Sequence, residues 1–171
     1  MKSEEIIRTI LIDKYNLNEE FFIPIPNGDY IYDNHISIPI DIKIEDFTEF
    51  SRLNIKIING SLDVGEHAEL KSLEGSPNTI CSRLVISNTG LTSLKHSPMI
   101  TLCSGDAKTQ IIAKECEMLE DVSDIKAEGF FELDIRSCPK LKDGVRTIEK
   151  MLDEMEKKGL IYNHVILVGE D

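Results

Sequence analysis

Apolar residues recur along the middle of this chain in a fixed cadence. Ile40-x-Ile42, Leu62-x-Val64 and Leu84-x-Ile86 start 22 residues apart, and Ile111-x-Ala113 and Leu133-x-Ile135 are again 22 apart. Each pair reads as a short strand with two inward side chains, because residues two apart share one face of a strand. A second apolar pair follows each strand: Phe47 and Phe50, Leu70 and Leu73, Leu91 and Leu94, Leu119 and Val122, Leu141 and Val145. A 22-residue unit is too small to bury its own apolar stripe, so the units are expected to stack and share one core. Further columns keep the same phase: Ile58, Ile80 and Leu102; Cys81 and Cys103; Cys116 and Cys138. The step from the third strand to the fourth is 27 residues, and the excess coincides with Ser104-Gly105-Asp106-Ala107-Lys108, a turn-rich stretch read as a surface insertion.

The flanks have different periods. Ser3 as an N-cap, acids in the first turn and Ile6, Ile7, Ile10 and Leu11 at helical spacing predict an amphipathic helix over 3–15. Phe21 to Pro26 and Tyr30 to Tyr32 read as two extended arms around Asn27-Gly28, a type I′ turn signal, with the prolines placing the first arm at a sheet edge. Val145, Ile148, Met151, Leu152 and Met155 predict a C-terminal helix ending at Lys157-Lys158-Gly159, and Val165 to Val168 a last strand. The expected architecture is an α/β chain forming one compact domain. Residues 1–39 form a helix and hairpin cap, 40–143 a solenoid of about five parallel rungs, and 144–171 a helix and strand cap.

Charge narrows the partners. The chain carries 31 acidic and 19 basic side chains, a net charge of −12, which repels a phosphate backbone and argues against direct nucleic-acid binding. The same charge suits a basic protein partner. No run approaches the length of a membrane span, and the first residues lack a signal peptide's apolar stretch, so a cytoplasmic location is expected. Four cysteines without a C-x-x-C pair point to reduced, buried thiols rather than zinc or redox chemistry. His35, His67, His96 and His164 show no metal-ligand spacing. Phosphate-binding loops, dinucleotide fingerprints and hydrolase elbows are absent from the sequence, so no catalytic residue, metal or cofactor is assigned.

Leu84-x-Ile86-x-x-Thr89-x-Leu91-x-x-Leu94 resembles the strand and turn of a leucine-rich repeat, with Thr89 where Asn is usual. Ile111-x-Ala113-x-x-Cys116-x-x-Leu119 and Leu133-x-Ile135-x-x-Cys138-x-x-Leu141 resemble the cysteine-containing form of that repeat. Leu70 to Pro77 and Leu91 to Pro98 are similar to units of small repeat proteins encoded by tailed bacteriophages. Against the consensus, His67 holds the Asn position in the second rung and Glu45 in the first. The resemblance implies a curved sheet whose concave face binds other proteins, with no family-wide catalytic residue.

In that register the outward strand positions form two columns, Asp41, Asp63, Val85, Ile112 and Asp134 beside Lys43, Gly65, Ser87, Lys114 and Arg136. Asp41 is expected next to Asp63, a like-charge contact for which binding is one reason and an ordinary solvated face, neutralised by Lys43, the other. Cys116 and Cys138 are expected to face each other as ladder neighbours, close enough for a disulfide if oxidised, but mainly as small apolar fillers of a tight turn. The leading expectation is a non-enzymatic protein-interaction module, a phage accessory or host-interaction protein, binding through the concave sheet. The alternatives are an acidic inhibitor that mimics nucleic acid in a basic groove of a host nuclease or defence protein, and an enzyme with an unusual site near His67 or the insertion at 104–108.

Overall fold

A computed structural model describes residues 2–102, 109–128, 131–141 and 165–168, together with Asp153, Glu156 and Lys157. The chain winds through about four turns of a β-solenoid behind one N-terminal helix. Helix α1 (Lys2–Lys14) leads to the antiparallel hairpin β1 (Phe22–Ile25) and β2 (Asp29–Tyr32), then to β3 (Ile36–Ser37). The next strands alternate between two walls, β4 (Ile55–Ile58), β5 (Leu62–Asp63), β6 (Thr79–Ile80), β7 (Arg83–Val85), β8 (Met99–Ile100), β9 (Thr109–Ile112), β10 (Lys126–Ala127) and β11 (Phe131–Asp134), and β12 (Val165–Val168) then joins the wall of β11. The first sheet has the order β1-β2-β4-β6-β8-β10 and the second β12-β11-β9-β7-β5-β3; every pairing except the hairpin is parallel.

The core follows from the repeat. Leu62, Leu84, Ile111 and Leu133 lie opposite one another across the second sheet, and each is fully buried. Ile58, Ile80 and Ile100 line the first sheet from inside, with Ala127 completing the column. The downstream pairs Phe47/Phe50, Leu70/Leu73, Leu91/Leu94 and Leu119/Val122 close the remaining side, all buried. Packing one rung on the next is therefore how each unit hides the stripe it cannot cover alone.

One backbone device recurs at the end of the second sheet. Glu66, Asn88, Glu115 and Ser137 have φ of 66°, 54°, 55° and 59°. Each stands four residues after an inward Leu or Ile, and the left-handed turn swings the next residue, His67, Thr89, Cys116 or Cys138, back toward the core. Three of the four turn residues are neither Gly nor Asn, so the stacked rungs impose a conformation the residues themselves disfavour.

The cap expectations meet the structure unevenly. The hairpin forms with Asn27 and Gly28 at φ 71° and 79°, and β1 is the edge of its sheet. Helix α1 buries Leu11, Ile12 and, just beyond it, Tyr15, while Ile6 and Ile10 face solvent at 61% and 58% exposure. The Arg8 guanidinium lies 4.7 Å from the Phe22 ring centroid and 4.2 Å from that of Tyr30, holding the helix to the hairpin. Strand β12 pairs in parallel with β11 as expected. Of the expected C-terminal helix only Asp153, Glu156 and Lys157 are described, all helical, and the insertion at 104–108 and Val145 lie outside the described residues.

The first rung is displaced. Ile36, not Ile40, pairs with Leu62; Ile36 and Ile38 are buried, whereas Ile40 is 71% exposed. The Ile38 N–H bonds to the Asp63 carbonyl at 2.9 Å, and the chain then leaves the ladder in a turn closed by Ile42 N–H on the Pro39 carbonyl at 3.0 Å. Asp41 and Lys43 consequently lie beyond the strand and outside the sheet face, and Ser37, not Asp41, is the neighbour of Asp63. Glu45 likewise takes no ladder position: it is exposed, and its carbonyl accepts from Lys71 N–H. In the first sheet Ile100 fills the place expected of Leu102; the two share strand parity, so only the shortened loop before β8 decides between them. Cys81 is disulfide-bonded, contrary to the expectation of reduced thiols, while Cys116 and Cys138 are free.

Candidate interaction face

The outward side of the second sheet gathers the remaining predicted residues. Asp63, Val85, Ile112 and Asp134 lie opposite one another on β5, β7, β9 and β11. Just beyond the strands Gly65, Ser87, Lys114 and Arg136 form the second column, tied by the bonds of Glu66 N–H to Ser87 O, Asn88 N–H to Lys114 O and Glu115 N–H to Arg136 O at 2.9, 2.8 and 3.0 Å.

At one end of this face a carboxylate is set beneath two cations. Asp134 is buried; Lys114 Nζ approaches its Oδ2 at 3.0 Å, Arg136 Nη2 approaches the same oxygen at 2.9 Å, and Arg136 Nε reaches Oδ1 at 3.0 Å. Burial alone would push this carboxyl up, but the hydrogen bonds from Arg136 and Lys114 outweigh it and hold Asp134 below the usual carboxylate range. The two cations remain half-exposed. At the other end the Asp63 carboxylate accepts from Gly65 N–H at 2.9 Å and is exposed. Val85 and Ile112, both half-buried, make an apolar centre between the two ends. Ser87 Oγ accepts from Lys114 N–H at 3.2 Å, which ties adjacent rungs at the edge of that centre.

A third column belongs to the same face and escaped the sequence reading. Arg83, Gln110 and Glu132 stand opposite one another, and Gln110 Nε2 donates to Glu132 Oε1 at 2.9 Å. Extending the outward alternation one residue upstream of Leu84, Ile111 and Leu133 would have found them, since Gln110 and Glu132 carry the same 22-residue spacing.

Below the face runs the ladder that replaces the expected Asn positions. His67 Nε2 lies 3.3 Å from the Ile38 carbonyl, Cys116 Sγ donates to the Ile86 carbonyl at 3.1 Å and Cys138 Sγ to the Ala113 carbonyl at 2.9 Å. Each reaches the second inward residue of the preceding rung. Thr89 instead donates to Ile86 of its own rung at 2.8 Å. Imidazole and thiol thus hold neighbouring turns together, and the hydroxyl braces its own turn, in a setting where an unmet carbonyl would be costly.

Among the described residues no three His, Cys, Asp or Glu side chains gather as a metal centre would need, and no helix is long and apolar enough to cross a membrane. Comparison of the chain with family models, with curated proteins and with solved structures returns no match.

Proposed function

We propose that this chain is a non-enzymatic protein-interaction module of leucine-rich-repeat type, a phage accessory or host-interaction protein, and that it engages its partner through the outward side of the second sheet as the concave wall. The observation that carries this reading is the division of that side into an exposed acid at Asp63, an apolar centre at Val85 and Ile112, and half-exposed cations at Lys114 and Arg136 anchored on a buried Asp134. Fixed charges of opposite sign around an apolar centre give a partner both register and contact area. Asp63→Lys combined with Lys114→Glu reverses the charge at both ends. Recovery of the partner from a host lysate is expected to fall while the far-ultraviolet spectrum stays unchanged; undiminished recovery overturns the reading.

The net charge of −12 supports a second reading, an acidic inhibitor seated in the basic groove of a host nuclease or defence protein. Association of that kind weakens steeply with added salt, and salt-insensitive binding excludes it.

A further inference from the structure

The outer side of the first sheet carries a groove of about 580 Å³ whose chemistry is opposite to that of the chain as a whole. Its wall is built by one motif used twice. Gly75-Ser76-Pro77 and His96-Ser97-Pro98 lead into β6 and β8 on adjacent rungs, each opening on a left-handed residue, Gly75 at φ 82° and His96 at φ 65°. Ser76 Oγ donates to the His96 carbonyl at 3.2 Å, and the backbone ladder runs on from Asn78 N–H to Lys56 O at 2.9 Å and from Met99 N–H to Asn78 O at 2.8 Å. Lys56, His96 and Lys126 face the groove, and none of the described residues lining it is acidic. Among the described residues Asp29 competes for Lys56, standing 3.7 Å from its Nζ in a partly exposed pair of little strength.

The spacing of the cations fits a particular ligand. Lys56 is on β4 and Lys126 on β10, and between them lie β6 and β8. Three strand spacings amount to roughly 14 Å. An extended peptide advances about 3.3 Å per residue, so residues four apart cover about 13 Å and project to the same side. A segment lying along the solenoid axis therefore places two carboxylates over Lys56 and Lys126 and passes His96 on the way. Lysines strung along a line act as separate point charges. A compact phosphate would instead call for an Arg fork or a focus of N–H groups, and no arginine is among the described lining residues. The many remote acids of the chain oppose such a ligand weakly, because charges more than about 8 Å away are screened at physiological salt.

We propose that this groove is a docking site for an extended acidic peptide segment of a partner protein, with carboxylates four residues apart. It is separate from the face on the second sheet and does not rest on that assignment. The test is fluorescence anisotropy of labelled hexaglutamate and hexaglutamine with the full chain, with the double variant Lys56→Gln/Lys126→Gln as comparison. Hexaglutamate is expected to bind more tightly than hexaglutamine despite the net negative charge, and to lose affinity on the order of tenfold in the double variant. Equal binding of the two peptides, or hexaglutamate binding unchanged in the double variant, overturns the proposal. Tripolyphosphate displacing hexaglutamate at lower concentration than unlabelled hexaglutamate also overturns it and assigns the groove to phosphate.

Discussion

Cys116 and Cys138 stand one rung apart on the ladder, and each thiol donates to a carbonyl of the rung before it, Ile86 at 3.1 Å and Ala113 at 2.9 Å. Their acidities are pulled apart by this arrangement. Contact with Cys138 draws the Cys116 thiol below the usual thiol range against the opposing effect of burial, while the same contact and burial push Cys138 up.

Removing Cys138 is expected to act on both sides of that pair. Cys138→Ala should destabilise the chain by about 1 kcal/mol through the lost bond to Ala113, with Cys138→Ser recovering part of it, as read from urea midpoints. In a thiolate absorbance titration the low-pH step should move upward in Cys138→Ala. Because the folded thiol of Cys116 ionises below its unfolded value of about 8.5, its contribution to stability is complete above that pH and is lost as pH falls through the lower folded value. A titration identical in the two proteins would show that Cys138 does not set the acidity of Cys116.

The displaced first rung gives a direct contrast. Ile36 is 1% exposed and Ile40 71% exposed. Ile36→Ala is expected to cost about 2–5 kcal/mol, and Ile40→Ala to stay within about 0.5 kcal/mol of the parent. Chemical denaturation of the two variants decides between the observed register and the regular 22-residue one, in which the costs would be reversed.

Asp134 sets an acid limit on the second sheet. Its carboxyl is held below the unfolded value of about 3.9, so its contribution is complete above that pH and disappears as pH falls through the lower folded value. The stability difference between the parent and Asp134→Asn should therefore shrink on acidification from pH about 6 to about 3. Urea midpoints at the two pH values measure it, and a constant difference would remove Lys114 and Arg136 as the cause.

Two glycines separate conformational need from close approach. A Cβ on Gly90 would lie 2.3 Å from the Ala68 carbonyl oxygen, a backbone atom of the preceding rung. Gly28, at φ 79°, has nothing within 4 Å of such a Cβ. Gly90→Ala is expected to cost more than about 2 kcal/mol because one rung must shift against the next, and Gly28→Ala about 1 kcal/mol from backbone conformation alone. Thermal midpoints in the reverse order would contradict the tight stacking at Gly90.

The 22-residue recurrence determined much by itself. Leu62, Leu84, Ile111 and Leu133 had to share one wall because residues at a fixed period in a stacked chain fall into register, and the outward column from Asp63 to Asp134 followed from strand alternation. Asn27-Gly28 determined the hairpin, since few other residues tolerate successive positive φ values. Tertiary structure decided what period and alternation leave open. Ile36 and Ile40, like Ile100 and Leu102, have the same strand parity, so only the lengths of the loops around them select which enters the stack. The ion triad around Asp134 needed the rung spacing to bring Lys114 of one turn over a carboxylate of the next. The groove bounded by Lys56, His96 and Lys126 joins side chains from separate rungs, up to 70 positions apart in the chain. Their charges have no pattern along the sequence, and it was the winding of the backbone that placed them on one wall.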